Sequence, residues 1–195
     1  MDRRKFLKTS AITAAGMAVS GTTAHAADRG TVKVNTRLDS YGSIKEPARR
    51  IPVVDSADIV VVGGGPAGFA ASVAAARQGM DVIMLERGYF LGGLFTGCDV
   101  TLLNDMYTPT HEGRVQAVFG ICDELCRKLS GHDMLTWVGT PPNVDTEATK
   151  YFMEEMCCEA GVRILYGAHA SEISMSGDRI EAVLVETKSG RVAIR

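Results

Sequence analysis

The chain has 195 residues, of which 46% are apolar, and its formal net charge is −2. These values are typical of a globular protein with one sizeable core, and they argue against a disordered chain. A mildly acidic balance also argues against a protein that binds nucleic acid through a basic surface.

The cysteines exclude a common class of metal site. They are Cys98, Cys122, Cys126, Cys157 and Cys158. Their odd number and their spacing provide neither two CxxC pairs nor a histidine at metal-ligand spacing, so a zinc site is not expected. We interpret Cys122 and Cys126 as packing residues and the adjacent pair Cys157 and Cys158 as a weak redox candidate.

The amino-terminal residues MDRRKFLKTS place Arg3 and Arg4 ahead of a weakly apolar run that ends near Ala24 and Ala26. A basic segment, an apolar segment and a small-residue A-x-A site in this order resemble a twin-arginine export signal. We therefore predict that residues 1–26 are a signal peptide and that the mature protein is periplasmic or secreted. The alternatives are a general secretory signal and an ordinary basic amphipathic start.

The predicted signal also implies a partner and a route. Its apolar stretch is shorter than the about 20 apolar residues that cross a bilayer, so no membrane span is expected in the mature form. The twin-arginine export machinery is an expected partner. Because that pathway carries folded proteins, a cofactor is expected to be loaded in the cytoplasm before export.

Residues 27–57 are polar and rich in turn-forming residues, and they predict an extended lead-in with one short strand. From residue 58 the pattern becomes regular. Apolar DIVVVG is followed by a glycine turn, an alanine-rich helix to about Gln78 and the run DVIMLE, which ends at Glu86. This order predicts strand, helix and strand, and such apolar runs suit parallel strands that are covered on both faces.

The glycine turn carries the pattern GxGxxG at Gly63, Gly65 and Gly68. In this setting the first glycine permits a tight turn, the second leaves room for a pyrophosphate, and the third lets the helix pack closely on the strand. The pyrophosphate is expected at the free amides of the helix start. The predicted cofactor-binding turn is completed by Gly64, Pro66 and Ala67.

Glu86 closes the second strand, where a carboxylate can accept hydrogen bonds from ribose hydroxyls and would repel a phosphate on that ribose. Strand, turn, helix, strand and acid in this order predict a dinucleotide-binding site. The same turn serves nicotinamide and flavin cofactors, so these residues leave the choice between the two open.

The residues after Glu86 predict a loop, two helices and a meander. RGYFLGGLFTGCDV is typical of a loop, and residues 113–129 predict a helix with one apolar face. A second helix is predicted over residues 146–160, with its start at Asp145 or Thr146 and its end at Gly161. The alternating pattern that follows predicts a strand and then an antiparallel meander.

Two stretches carry a family resemblance: VVVGGGPAGFAASVAAARQGMDVIMLERGYFLGG, and TEATKYFMEEMCCEAGVRILYGAHASEI with the following GDRIEAVLVETKSGRVAIR. They resemble the glutathione-reductase-like FAD-binding fold and, more narrowly, the FAD-dependent oxidoreductases related to fumarate reductase flavoproteins. The resemblance covers roughly residues 58–195. It implies an α/β fold, a Rossmann-like FAD/NAD(P)-binding domain with a parallel sheet and an antiparallel β-meander inserted before the last parallel strand.

The resemblance also implies FAD as the cofactor and adds site residues. Gly92 and Gly93 would pass close to the flavin side of FAD, Arg87 would lie near the ribose and phosphates, and Ala170 would offer its backbone to the adenine edge. Simple nicotinamide domains usually lack the double glycine, so this pair and the meander favour FAD. The sequence assigns no catalytic residue.

Members of that family continue past the meander into a closing strand and a substrate domain, whereas this sequence ends at Arg195. We therefore expect residues 58–195 to be an incomplete FAD-binding domain, truncated before the last parallel strand. The predicted function is an exported oxidoreductase that transfers hydride or electrons between an unidentified small-molecule substrate and FAD, with an electron-transfer partner as a further expectation. The alternatives are a non-catalytic FAD-binding or electron-transfer module and an NAD-dependent dehydrogenase.

Overall fold

The computed structural model describes residues 46–111, 113–137 and 141–195. Residues 48–195 belong to one structural unit. The predicted signal peptide and the first part of the predicted lead-in lie outside the described residues. Within the described part of the chain, no helix is both long enough and apolar enough to span a membrane.

The elements of the described residues include both strands and helices before residue 167 and are all strands after it. The strands are β1 (Val53–Asp55), β2 (Ile59–Val62), β3 (Val82–Glu86), β4 (Tyr107–Thr110), β5 (Gly113–Gln116), β6 (Leu135–Trp137), β7 (Pro142–Val144), β8 (Arg163–Tyr166), β9 (His169–Ser176), β10 (Arg179–Thr187) and β11 (Gly190–Ile194). The helices are α1 (Pro66–Ala76), α2 (Leu94–Gly97), α3 (Ile121–Gly131) and α4 (Thr146–Ala160).

A parallel sheet with the strand order β2-β3-β8 forms the centre of the fold. Successive side chains of its middle strand, β3, point to opposite faces of the sheet, and both faces are covered. Val82 and Met84 pack among the helices, whereas Ile83 and Leu85 pack against a second sheet. The predicted strand, helix and strand over residues 58–86 are confirmed, with α1 ending at Ala76.

The second sheet has the order β1-β11-β10-β9. Strands β9, β10 and β11 pair antiparallel in succession, in the segment for which the sequence predicts a meander. Strand β1 is the short strand expected in the lead-in, and it pairs parallel with β11. Val185 and Ile194 pack on Ile83 and Leu85, so each sheet covers one face of the other.

Helix α4 and helix α1 pack into the core cluster that includes Val82 and Met84. Asp145 caps the start of α4, since its Oδ1 accepts a hydrogen bond from the amide of Ala148 at 2.8 Å. The helix ends at Gly161, which has a φ of +84°. These bounds confirm the helix predicted over residues 146–160. The side chains that α4 buries are Thr149, Phe152, Met153, Met156 and Cys157.

The helix predicted over residues 113–129 is wrong in its first half. Residues 113–116 form β5, which pairs with β4 in an antiparallel hairpin, and α3 begins only after Gly120. Gly120 has a φ of +76°, a conformation that ends regular helix and favours glycine. Val115 and Phe119, which helical spacing assigns to a buried face, are exposed. The predicted loop after Glu86 also contains the short helix α2.

Arg163, at the start of β8, joins segments that are distant in sequence. Its guanidinium donates hydrogen bonds to Asp55 Oδ1 at 2.6 Å and to Asp81 Oδ2 at 2.7 Å. Arg163 holds the pKa of the Asp55 carboxyl below its ordinary value, because the hydrogen bond favours the charged form. These contacts lie at the amino ends of β3 and β8, whereas Glu86 lies at the carboxyl end of β3.

Candidate functional site

The carboxyl ends of β2 and β3 open into a cleft of about 930 Å³. In open α/β sheets, ligands bind at this end of the strands. The predicted site residues that line the cleft are Gly63, Glu86, Arg87, Gly93 and Ala170. The predicted site residues that belong to the flanking turn and loop, without lining the cleft, are Gly64, Gly65, Pro66, Ala67, Gly68 and Gly92.

The start of α1 presents backbone amides beside the cleft. The helix begins with Pro66, which has no amide hydrogen, and its first internal hydrogen bond runs from the amide of Phe69 to the carbonyl of Gly65 at 2.9 Å. The amides of Ala67 and Gly68 precede that bond, in the position from which helix starts bind phosphates. A Cβ added to Gly65 would meet no atom within 4 Å, so the space beside this residue is open.

At two positions of the turn, only glycine fits the backbone conformation or the available space. Gly63 has a φ of +97°, in the left-handed region that favours glycine, and it turns the chain from β2 towards α1. A Cβ on Gly68 would stand 1.9 Å from the carbonyl oxygen of Gly63 and 3.3 Å from Val61 Cγ1. Only a hydrogen fits at that place, which allows α1 to pack directly against β2.

Glu86 connects the end of β3 with the glycine turn. Its Oε2 accepts a hydrogen bond from the amide of Gly64 at 2.7 Å, and its Oε1 accepts one from the amide of Gly88 at 2.6 Å. A carboxylate has about four acceptor positions, so each oxygen can accept another hydrogen bond. Two backbone amides thus fix the carboxylate at the cleft, and its oxygens can still accept hydrogen bonds from ribose hydroxyls.

The double glycine packs onto the glycine turn. The amide of Gly92 donates to the carbonyl of Gly64 at 2.8 Å, and a Cβ on Gly93 would lie 3.4 Å from the Cα of Gly65. Gly92 has a φ of +105°, and a Cβ there would collide with Thr96 at 2.3 Å. Thr96 is itself held by a hydrogen bond to the carbonyl of Leu91. The two glycine-containing segments therefore form one backbone surface.

Other side chains of the cleft come from its far wall and from the loop before α2. Ala170 lies in β9 opposite Val185, and its neighbour His169 also lines the cleft. Cys98, to which the sequence analysis gives no role, also lies along the cleft. Residues not assigned from the sequence also contribute to the lining: Gly88 and Phe90 of the loop, and Leu94 and Gly97 of α2.

The cleft fits a dinucleotide in three respects. Backbone amides at the start of α1 suit a pyrophosphate, which carries negative charge. The Glu86 carboxylate suits a ribose without a 2′-phosphate, because it accepts hydrogen bonds and repels anions. The open space beside Gly65 lets the ligand approach the backbone. Within the described residues, no group of three or more histidine, cysteine or acidic side chains could hold a metal ion.

Comparison with known proteins identifies relatives of this arrangement. The profile of the family described as FAD dependent oxidoreductase matches residues 58–195. Dihydrolipoyl dehydrogenase 3 of Haloarcula marismortui is 29% identical over 118 residues, which are 59% of this chain and 23% of that protein. Menaquinone reductase of Mycobacterium tuberculosis is 58% identical over 38 residues, which are 20% of this chain and 9% of that protein. The chain spans less than a quarter of the length of these relatives.

A solved structure shares the fold. The 3-ketosteroid-Δ4-(5α)-dehydrogenase of Rhodococcus jostii superposes with a TM-score of 0.50 at 19% sequence identity, over 75% of this chain and 47% of that chain. At this level of identity the similarity shows the fold alone. It agrees with a mixed α/β fold that is built on a parallel sheet.

Proposed function

Because the chain belongs to the family of FAD-dependent oxidoreductases, we propose that the cleft at the carboxyl ends of β2 and β3 holds FAD. We propose further that the protein is an exported oxidoreductase, which moves hydride or electrons between an unidentified small-molecule substrate and FAD. The narrower relation to fumarate reductase flavoproteins belongs to this proposal. The substrate and the electron-transfer partner follow from neither the fold nor the cleft.

One observation carries the proposal: the carboxylate of Glu86 and the amide of Gly92 both form hydrogen bonds with Gly64. Glu86 Oε2 accepts a hydrogen bond from the amide of Gly64, and the carbonyl of Gly64 accepts one from the amide of Gly92. The ribose-binding carboxylate and the double-glycine loop are thereby fixed on either side of the phosphate-binding turn. That arrangement favours FAD over a nicotinamide cofactor, because the double glycine is expected beside a flavin.

The residues of the chain have separate proposed tasks. The amides of Ala67 and Gly68 bind the pyrophosphate, Glu86 accepts the hydroxyls of the adenosine ribose, and Ala170 borders the adenine. The loop with Gly92 and Gly93 holds the flavin side of the cofactor in position. When bound, FAD supplies the hydride or electron-transfer chemistry, and these residues bind and orient it.

Flavin binding by the purified protein tests the proposal. We expect bound FAD to be visible in its absorption and to be released on denaturation. Glu86→Gln should weaken FAD affinity by at least about tenfold, since hydrogen bonds to a charged group contribute about 1.5–3 kcal/mol. Glu181→Gln, which changes an exposed glutamate of β10 outside the cleft, is the matched control. Thermal unfolding of the two variants separates lost affinity from lost fold.

Two outcomes would contradict this proposal. One is a protein that is folded by circular dichroism, yet binds no FAD at concentrations that saturate other flavoproteins. The other is saturable binding of NAD at the same cleft, competed by FAD only weakly, which would favour the dehydrogenase alternative. Bound FAD without turnover in the protein expressed from its full reading frame would favour the electron-transfer module.

Export is tested separately, because it does not depend on the cleft. We expect the double change Arg3→Lys and Arg4→Lys to leave the protein in the cytoplasm with its signal uncleaved. The matched control is Lys5→Arg with Lys8→Arg, which keeps the charge of the segment and the arginine pair. Cell fractionation measures the result, and undiminished export of the Arg3 and Arg4 variant would favour the general secretory route.

A further inference from the structure

Three sulfur-containing side chains meet on the buried side of α3, away from the residues that line the cleft. Cys126 Sγ lies 3.5 Å from Met106 Sδ, and Cys122 lies one helical turn before Cys126 on α3. The two cysteines are four positions apart on one helix, so they share a helix face. The proposed function uses none of the three.

The third sulfur is held in place by the backbone around it. The carbonyl of Met106 accepts hydrogen bonds from the amides of Ala117 at 2.9 Å and Val118 at 3.3 Å. These bonds fix the residue at the base of the β4–β5 hairpin, just before α3. Met106 and Cys126 are buried, with 2% and 5% of their surfaces exposed. The cluster is therefore part of the packed structure and does not depend on a chance surface contact.

The cluster also has an access path. Cys122 is only partly buried and lines a cavity of about 250 Å³ between α1 and α3. The other lining residues are mainly apolar, among them Phe69, Phe95 and Leu125. Through this cavity an ion could reach the Cys122 thiol, which is one of the three proposed ligands.

We propose that Cys122, Cys126 and Met106 form a three-sulfur site for a soft monovalent cation, namely Cu(I). Thiolate and thioether ligands together select Cu(I) over hard or borderline ions. Metal–sulfur bonds of about 2.3 Å would place the sulfurs of a trigonal site about 4 Å apart, and Cys126 Sγ and Met106 Sδ lie 3.5 Å apart. Zinc is disfavoured, since its structural sites take four cysteine, histidine or acidic ligands.

Copper binding releases the protons of both thiols. Cu(I) displaces the hydrogens of the two thiols, which leave as two protons to solvent, and two copper–thiolate bonds and one copper–thioether bond form without a change of oxidation state. The resulting site carries one negative charge. Cys122 is the second residue of α3, and the partial positive charge of a helix start stabilises such a charge.

Copper titration of the FAD-loaded full chain tests the site. The parent protein is the double variant Cys98→Ser and Cys158→Ser, which removes the two exposed thiols. Under anaerobic reducing conditions it is titrated with Cu(I) against the chromophoric chelator bathocuproine disulfonate. We expect one copper ion per chain to be retained, with three sulfur neighbours in its X-ray absorption spectrum.

Two variants distinguish this site from adventitious binding. Met106→Leu nearly conserves volume and should keep the fold, while the sulfur count falls from three to two. Cys122→Ser should lower copper retention by at least about tenfold, the scale on which even outer-shell changes weaken metal sites. The proposal is overturned if the parent retains no copper, if Cys122→Ser retains it equally well, or if Met106→Leu leaves the sulfur count unchanged.

Discussion

The two sheets of this molecule share a layer of side chains but differ in what covers their other faces. Strand β3 buries Val82 and Met84 under helices and Ile83 and Leu85 under the second sheet. The β9–β10 hairpin exposes about half of Ile173, Met175 and Ile180, at 55%, 46% and 57%. The parallel sheet is therefore a core on both sides, whereas the far end of the antiparallel sheet is a surface.

This difference in burial indicates which parts of the fold can tolerate a shortened side chain. A residue buried on both faces has neighbours on every side, so a lost methyl group leaves a cavity. A residue of the hairpin tip has water on one side and loses little when it is shortened. The cleft lies at the carboxyl end of the covered sheet, so its geometry rests on the less tolerant region.

The largest effect is expected when a core residue of β3 is shortened. Met84→Ala should lower the free energy of unfolding by about 2–5 kcal/mol, because Met84 is fully buried in the helix-side core. Ile180→Ala, an exposed residue of β10, should stay within about 0.5 kcal/mol. Chemical denaturation measures both. Equal losses would contradict the contrast between the two sheets.

Gly68→Ala should be the next most damaging change. The added methyl group would stand 1.9 Å from the carbonyl oxygen of Gly63, and backbone cannot move aside cheaply, so a loss of about 3 kcal/mol is expected. FAD binding should fall with it. Gly131→Ala, at the last residue of α3 where a Cβ meets no atom within 4 Å, is the control. Normal flavin content in Gly68→Ala would disprove the steric account of the turn.

Asp145→Ala tests the helix that covers the parallel sheet. Asp145 Oδ1 accepts the amide of Ala148, and loss of such a cap costs about 1 kcal/mol. Asp145→Asn should recover most of the loss, since its amide oxygen can accept the same hydrogen bond. The thermal unfolding midpoints of wild type, Asp145→Asn and Asp145→Ala should fall in that order. An unchanged midpoint for Asp145→Ala would show that the cap contributes nothing to α4.

The smallest effect is expected from Arg163, and it depends on pH. The pKa of Asp55 is lowered in the folded state by Arg163, so this pair stabilises the fold above the ordinary pKa of an aspartate and the contribution is lost as pH falls through the lowered value. Arg163→Gln should therefore reduce the unfolding midpoint slightly at neutral pH and by less in strong acid, where the carboxyl of Asp55 is protonated and the hydrogen bond of Arg163 to the carbonyl of Ser56 remains. Arg179→Gln, in the exposed hairpin, is the control. A difference between wild type and Arg163→Gln that is independent of pH would count against this linkage.

Local signals predicted the parts of the fold that depend on neighbouring residues in sequence. Apolar runs located β2 and β3, and Asp145 and Gly161 located both ends of α4. The hairpin of β4 and β5 was missed because Val115 and Phe119 fit helical spacing, although the cross-strand partners that make residues 113–116 a strand lie in residues 107–110. Gly113 and Gly120 were the available signals for a break.

The candidate site also has features that local sequence predicts and contacts that it does not. The spacing of GxGxxG and the position of Glu86 were readable from the sequence, and the resemblance added the double glycine. The hydrogen bonds of Gly64 with Glu86 and Gly92 join residues more than 20 positions apart, and no local pattern encodes such contacts. The approach of Met106 to Cys126 is equally non-local, which is why spacing alone suggested only packing for the two cysteines of α3.

The pairing of β1 with β11 has a consequence for biosynthesis. β1 is the earliest strand of the described residues to leave the ribosome, yet its sheet partner is the latest of them. Until β11 emerges, the backbone groups of β1 lack the strand with which they pair in the folded unit. Because β1 joins the sheet only through β11, complete folding of the described unit waits for synthesis of that strand.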